Sequence, residues 1–225
     1  MLVELQCHSM HSSDTVLAVK DIMRKADREL GAVAITDHNS MGGYYEAKKL
    51  KHKALLIPAT EITAYYGESK GHIIVLGIEK LPDKFFGRPD AFELLDYSKS
   101  HGGTTIISHP FRSPKYSFSQ REIWRKADAI EVLNGNTLAF RNMRAYRQAR
   151  EMGKPMTSGS DAHILKAVGS YACGIDADSV DGILKAIKKG RVTLPQKSTS
   201  AFNILVSSAI RRSRKKLRKI INRKP

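Results

Sequence analysis

The sequence predicts an α/β protein built as a β/α barrel. Short runs of β-branched and apolar residues alternate with amphipathic helical segments, which is the pattern of parallel βα units. Seven or eight such units can be counted, more than a small open sheet needs. In addition, histidines and carboxylates fall at the ends of the strand-like runs, just before loops, where β/α barrels carry their functional groups.

The elements follow one another without an internal repeat. A turn-like stretch at 66–71 separates two strands, and Gly102 with Gly103 gives the C-terminal cap signal of a helix. The predicted strands are residues 2–9, 33–38, 54–62, 72–78, 104–110, 129–135, 154–163, 171–176 and 192–194. The predicted helices are residues 15–30, 41–51, 90–103, 119–127, 137–153 and 178–190.

The length of 225 residues suits one domain with a sizeable core. Apolar runs stay well short of a transmembrane span, and the first residues have neither the basic nor the apolar region of a signal peptide. The two cysteines, Cys7 and Cys173, are too few for a disulfide framework. We therefore expect a cytoplasmic protein.

The positive charge is concentrated at the C-terminal end. Of a net charge of +16, residues 1–181 carry only +2, while residues 182–225 hold 14 Lys and Arg and no acidic residue. We therefore divide the chain into a barrel domain, 1–195, and a linker with a basic tail, 196–225. Such asymmetry predicts an anionic partner for the tail rather than for the whole fold.

The tail also has apolar residues near helical spacing, including Phe202, Val206 and Leu217. A basic amphipathic helix can lie on an anionic membrane or bind phosphates of nucleic acid, without sequence specificity in the second case. It can equally pack on the barrel or act as a solubilising tail. These alternatives stay open at the level of sequence.

The residues at the strand ends indicate a metal site. Imidazole together with carboxylate suits zinc, manganese or iron. Side chains alternate along a strand, so His8 can face the barrel mouth while Cys7 faces a packed layer. Of the neighbours Asp37 and His38, we assign His38 as the ligand and Asp37 as a supporting residue. The candidate ligands are His8, Asp14, His38, Glu61, His72, His109, Asp161 and His163.

The order of these residues resembles the PHP (polymerase and histidinol phosphatase) family. The resemblance runs from about residue 2 to 176 and rests on Thr-Asp-His at 36–38, His-Pro at 109–110 and Ser-Asp-Ala-His at 160–163. It implies a distorted (β/α)7 barrel with two or three divalent metal ions, Zn, Mn or Fe, in its mouth. It also implies a metal-dependent phosphoesterase, either a phosphatase or a nuclease, that uses a metal-activated water.

The resemblance further implies three sets of ligands and a catalytic role for Asp161, His38 and Glu61. The three sets are His8, Glu61 and Asp161; Asp14, His38 and His163; and Glu61, His72 and His109, with Glu61 bridging. The family opens with Asp-Leu-His-x-His, whereas this chain has Glu4-Leu5-Gln6-Cys7-His8. Gln6 is therefore expected as a weaker ligand through its amide oxygen, which suits harder ions.

Two further residues are expected to contact the substrate. Arg112 follows His109 by three residues, in the loop over the mouth, and Arg can hold a phosphate through two hydrogen bonds. His11 lies close enough to the first strand to reach the substrate or to take the place of the missing histidine. The expected substrate is a phosphomonoester, a nucleotide or an oligonucleotide end.

Gln6 also favours a different class of function, a non-catalytic metal-binding scaffold that attaches to nucleic acid or membrane through its tail. The eight retained ligand candidates argue against this alternative. A third hypothesis is metal-dependent amide hydrolysis on the same kind of barrel, because the ligands alone do not distinguish it from phosphoester hydrolysis.

Overall fold

The computed structural model describes residues 1–197 together with Ala209 and Ser213. The predicted linker and basic tail, 196–225, otherwise lie outside the described residues. Within the described part of the chain, no helix is long and apolar enough to span a membrane.

The fold is a mixture of helices and short strands, as the alternating pattern predicts. The strands are β1 (Leu2–Cys7), β2 (Ala32–Ile35), β3 (Leu55–Ile57), β4 (Ala59–Tyr66), β5 (Ser69–Leu76), β6 (Thr104–Ile107), β7 (Ala129–Asn134), β8 (Met156–Gly159) and β9 (Cys173–Gly174). The helices are α1 (Val19–Glu29), α2 (Gly42–Lys48), α3 (Ala91–Ser100), α4 (Arg121–Lys126), α5 (Ala139–Glu151) and α6 (Val180–Lys188). Two short 3-10 turns lie at Asp83–Phe86 and Leu165–Ala167.

The strands form two sheets rather than the predicted closed barrel of seven βα units. One sheet has the order β3-β2-β1-β9 and the other β4-β5-β6-β7-β8. Neighbours are parallel except for β1 with β9, β4 with β5, and β5 with β6. Two isolated parallel bridges, Cys7 with Ala162 and His38 with Glu61, join the sheets. Site candidates therefore lie where the two sheets meet.

Two local sequence features account for this difference. Pro58, which lacks a backbone N–H, interrupts the predicted strand 54–62, so that β3 pairs in one sheet and β4 begins the other. Gly67 has a φ of +57°, and the tight turn that it forms brings Tyr66 opposite Ser69. A turn of two residues reverses the chain, and β4 and β5 therefore pair as an antiparallel hairpin.

Helix α1 shows how the apolar spacing places the helices. Its buried residues, Val19, Ile22, Met23 and Ala26, recur at helical intervals and form one face against the sheet. The helix begins at Val19 rather than at residue 15, and Thr15 donates its hydroxyl proton to the carbonyl oxygen of His163. The predicted first turn of this helix is thus a loop that contacts the site.

The two cysteines are buried thiols on neighbouring strands. The residue paired with Cys173 of β9 is Val3 of β1, and the thiol of Cys7 contacts the carbonyl oxygen of Ala34. Burial raises the pKa of Cys7 well above its usual range and raises the pKa of Cys173 to about 11. Both thiols are therefore protonated at neutral pH.

Trp124 is the largest fully buried side chain, and its replacement by alanine should strongly destabilise the fold. Its indole N–H donates to the carbonyl oxygen of Phe118 at 2.8 Å, and its ring packs near Phe111. We expect Trp124→Ala to lower the free energy of unfolding by about 3–5 kcal/mol, measured by urea denaturation. The matched control is Phe140→Ala, whose side chain is 67% exposed and whose loss should change stability by less than about 0.5 kcal/mol. Equal losses of stability in the two variants would contradict the assignment of Trp124 to the core.

Candidate metal centre

The predicted ligands meet along the junction of the two sheets. Four of them follow the carboxyl ends of strands, and in each case a short loop turns the side chain inward. Glu61 and His72 lie instead on the β4–β5 hairpin, where Thr63 pairs with His72. The four residues after strand ends are His8 after β1, His38 after β2, His109 after β6 and Asp161 after β8.

Glu61 is the centre of this cluster. Its carboxylate is fully buried and contacts four imidazoles. Oε1 lies 3.2 Å from Nε2 of His109 and 3.3 Å from Nδ1 of His72. Oε2 lies 3.0 Å from Nδ1 of His38 and 3.5 Å from Nε2 of His8. A carboxylate with histidines at both oxygens is suited to bridging two cations.

Two other carboxylates close the cluster on either side of Glu61. Oδ2 of Asp14 lies 2.8 Å from Nε2 of His163 and 3.7 Å from Nε2 of His38. Oδ1 of Asp161 lies 3.1 Å from Nε2 of His8. The structure therefore brings together all eight of the predicted histidine and carboxylate ligands.

Unpartnered polar atoms provide the test of whether these residues fit a metal. In the described part of the chain, seven buried side-chain nitrogen or oxygen atoms lack a hydrogen-bond partner, and five of them belong to this cluster. Buried polar atoms are normally satisfied, so such a concentration fits coordination of cations. The five atoms are Oδ1 of Asp14, Nδ1 of His38, Oε2 of Glu61, Nδ1 of His72 and Nδ1 of His109. The contacts of Glu61 with Nδ1 of His38 and of His72 are short but lack the geometry of hydrogen bonds.

Two groups of side chains within the described residues have ligand atoms that all lie within 4.8 Å of one another. They are His8, His38 and His163, and His38, Glu61 and His72. His38 belongs to both. Its ring also lies 4.6 Å from that of His8 and 4.9 Å from that of His72, measured between centroids.

The charges of the cluster hold its carboxylates ionised. Burial by itself would raise the pKa of Glu61, but the charges of His72 and His38 outweigh burial and hold that pKa well below its usual range. Burial would likewise raise the pKa of Asp161, but Arg112 and the hydrogen bond with His8 lower it. Both residues can therefore act as anionic ligands.

The histidines divide into two kinds. Burial would lower the pKa of His38, but the negative charges of Glu61 and Asp14 raise it to about 10. Burial lowers the pKa of His72 and of His163, and burial together with the Arg112 charge lowers the pKa of His109 to about 3. The neutral imidazole is the form that binds metals, and the raised pKa of His38 shows where the cluster attracts positive charge.

Backbone strain accompanies two of the ligands. His109 has a φ of +33° and Asp161 a φ of +49°, a region that residues other than glycine rarely adopt. The backbone N–H of His109 donates to Glu131, and that of Asp161 donates to the carbonyl oxygen of Gln6. Strain of this kind tends to cluster at functional sites.

Solved structures share this fold. PsfC of Pseudomonas syringae is 17% identical with a TM-score of 0.69, and the match covers 96% of this chain and 98% of PsfC. A Bacteroides vulgatus two-domain protein, which contains a predicted PHP-like metal-dependent phosphoesterase, is 18% identical with a TM-score of 0.68 over 92% and 68% of the chains. An amidohydrolase of Chromobacterium violaceum with bound sulfate is 18% identical with a TM-score of 0.60 over 87% and 98%.

Sequence comparison gives two matches. An uncharacterized protein of Methanocaldococcus jannaschii, MJ1587, is 26% identical over 147 residues, or 60% of this chain and 82% of that protein. The family model PHP_C, described as PHP-associated, matches residues 140–192, which include the Ser-Asp-Ala-His segment. The chain is therefore similar to PHP-associated proteins in this segment and to PHP-like proteins in its fold.

Gln6 departs from the PHP pattern in structure as well as in sequence. Its amide nitrogen donates to Oε1 of Glu61 at 2.9 Å and to the hydroxyl of Ser108 at 2.7 Å, while its amide oxygen accepts from Asn134 at 3.0 Å. The amide oxygen, which was expected to bind metal, therefore accepts from Asn134 instead. In this arrangement the amide nitrogen of Gln6, and not its oxygen, faces Glu61.

His11 is also placed differently from the expectation. Its Nε2 lies 2.7 Å from a carboxylate oxygen of Glu46 on α2, at a partly exposed position. The pairing with Glu46 holds the ring away from the ligand cluster. The carboxylate of Asp37 accepts from the backbone N–H and the hydroxyl of Ser9, the residue after His8.

Several supporting residues were not predicted. The hydroxyl of Ser12 lies 3.3 Å from Nδ1 of His8 and accepts the backbone N–H of His38. Ser108 donates to Glu61 at 2.7 Å. Glu4 accepts the backbone N–H of Ser160 from a fully buried position. For Glu4 a signal existed, because it shares one strand face with residues 6 and 8, whereas the serines are recognisable only from the folded structure.

Proposed function

We propose that this protein is a metal-dependent phosphoesterase that acts on a phosphomonoester, a nucleotide or an oligonucleotide end. The observation that carries the proposal is the position of Arg112 at the edge of the ligand cluster. Its guanidinium forms an ion pair with the buried carboxylate of Asp161, and its side chain is 18% exposed. A guanidinium beside a cluster of anionic and imidazole ligands suits the binding of a phosphate group.

The cluster supplies ligands for divalent cations of the zinc, manganese or iron type. Asp14, His38 and His163 would hold one ion, and Glu61, His72 and His109 another. Such ions, when bound, lower the pKa of a water molecule and neutralise charge on a phosphoester.

Arg112 is held in place by its own loop and by α5. Its backbone N–H donates to the carbonyl oxygen of His109 at 3.0 Å, and the guanidinium of Arg141 donates to the carbonyl oxygen of Arg112. The ion pair with Asp161 engages one nitrogen of the Arg112 guanidinium. The other N–H groups of the guanidinium can therefore donate to phosphoryl oxygens. We propose that Arg112 orients the phosphate and stabilises the charge that builds up on its oxygens.

Ser12 has a positioning role in this proposal. The hydroxyl of Ser12 contacts Nδ1 of His8 and the backbone N–H of His38, and it therefore fixes the ring of one histidine relative to the backbone of the other. Partners of this kind keep ligands in the geometry that catalysis requires.

The test measures metal content and turnover on the same preparation. The purified protein is loaded with Zn²⁺ or Mn²⁺, desalted, and assayed against p-nitrophenyl phosphate, bis-p-nitrophenyl phosphate and p-nitroacetanilide. We expect turnover of a phosphoester that is lost on chelation and restored by the metal. Arg112→Gln should reduce that turnover by about 10²-fold, whereas Lys115→Gln, which removes an exposed charge from the same loop, should leave it unchanged.

Other outcomes would identify other functions. Turnover of the anilide alone would favour amide hydrolysis, a reading that the amidohydrolase neighbour makes relevant. Bound metal without turnover of any substrate would overturn the enzymatic proposal in favour of a metal-binding scaffold. We further propose, from the sequence alone, that the basic residues of 196–225 bind an anionic partner, either nucleic acid or a membrane surface.

A further inference from the structure

We infer that the centre binds two cations. The amide donor of Gln6 and the positive charge of Arg112 occupy the place that a third cation would need. The inference rests on the proposed metal site and defines how that site is loaded. Its basis is the distribution of donors and unpartnered atoms within the cluster.

Two members of the ligand set of His8, Glu61 and Asp161 already have partners. Oδ2 of Asp161 is paired with Arg112 and Oδ1 lies 3.1 Å from His8. The other nitrogen of His8 contacts Ser12. Asp161 and His8 are therefore engaged by protein groups rather than left for a cation.

Four of the five atoms without a hydrogen-bond partner belong only to the other two sets. They are on Asp14, His38, His72 and His109, and the fifth, Oε2 of Glu61, lies between His38 and His8. In the described residues, neither His8 nor Asp161 has one. The atoms left for cations thus lie mainly around Asp14 and around the His72–His109 pair, with His38 and Glu61 between them.

The orientation of the Gln6 amide explains why the third place is closed. Asn134 donates to its oxygen, and its nitrogen faces the carboxylate of Glu61. Rotating the amide would bring its oxygen against that carboxylate and its nitrogen against the amide nitrogen of Asn134, so both contacts would become repulsive. An N–H donor cannot coordinate a cation, and a cation beside the Arg112 guanidinium would also meet like charge.

The experiment counts ions in the full chain and locates them. Wild-type protein, Arg112→Gln, Gln6→His and the double variant are loaded with Mn²⁺, desalted, and analysed for manganese per chain. We expect saturation at two ions in the wild type and at three in the double variant, which has the missing imidazole and lacks the competing charge. Lys115→Gln, in the same loop but exposed, is the control and should stay at two.

Manganese anomalous scattering from crystals of the loaded wild type gives a result that does not depend on whether a variant folds. Peaks between Asp14 and His163 and between Glu61 and His109, with none between His8 and Asp161, would support the inference. Three peaks in the wild type would overturn it, as would a folded double variant that saturates at two. Two bound ions without hydrolysis would overturn the proposed function but support this inference. Three bound ions with hydrolysis would support the proposed function but overturn this inference.

Discussion

His38→Ala is expected to reduce phosphoester hydrolysis by about 10³-fold or more, the scale of loss seen when one member of a catalytic unit is removed. His38 lies in both groups of converging ligand atoms, and its two ring nitrogens face Glu61 and Asp14. One substitution therefore weakens both proposed cation positions. Turnover per chain, with metal in excess, is the measurement.

The matched control is His101→Ala. His101 is an exposed histidine at the end of α3, where its ring stacks on Tyr97 far from the cluster. Its replacement should leave turnover unchanged, and circular dichroism should show the same helix content in both variants. Normal turnover of a folded His38→Ala protein would refute the site assignment.

Binding of metal is expected to raise the melting temperature by about 5–10 °C per ion at a free concentration of about 100 times the dissociation constant. Ligand binding to the folded state alone contributes about 2.7 kcal/mol under that condition, and each kcal/mol shifts the melting temperature of a chain this long by about 2–4 °C. Differential scanning calorimetry with and without a chelator measures the shift.

Glu61→Gln is the informative variant for this second prediction. It keeps the size of the side chain but removes the negative charge that faces four imidazoles. The metal-dependent shift in the melting temperature should then fall by more than half, because the ion held with His72 and His109 loses its carboxylate ligand and the other ion loses the negative charge beside His38. A shift equal to that of the wild type would show that the ions bind elsewhere.

The meeting of the candidate ligands at one junction could be predicted because strand periodicity and strand ends are local features. His8 and His38 follow short apolar strands, and the sequence alone shows that each lies where a strand gives way to a loop. The supporting contacts could not be predicted in the same way. Ser108 and Glu61 are 47 positions apart, and no local pattern specifies that their side chains meet.

The architecture was predictable only in part. The alternating α/β pattern is found, but the division into two sheets depends on Pro58 and on the two-residue turn at Gly67. Both residues are visible in the sequence. Their effect on strand pairing, however, follows from which strands are already neighbours, and that is a property of the whole fold.

The state of the two thiols makes metal counts on this protein easy to interpret. Cys7 and Cys173 have no exposed surface, and burial keeps both protonated. In the native state they cannot compete with histidine and carboxylate for a soft ion such as Zn²⁺, since only the thiolate is a good ligand. Alkylating reagents should reach them only when β1 separates from its neighbours. The rate of labelling would therefore report how often the strand that carries His8 opens, and whether loading with metal keeps it closed.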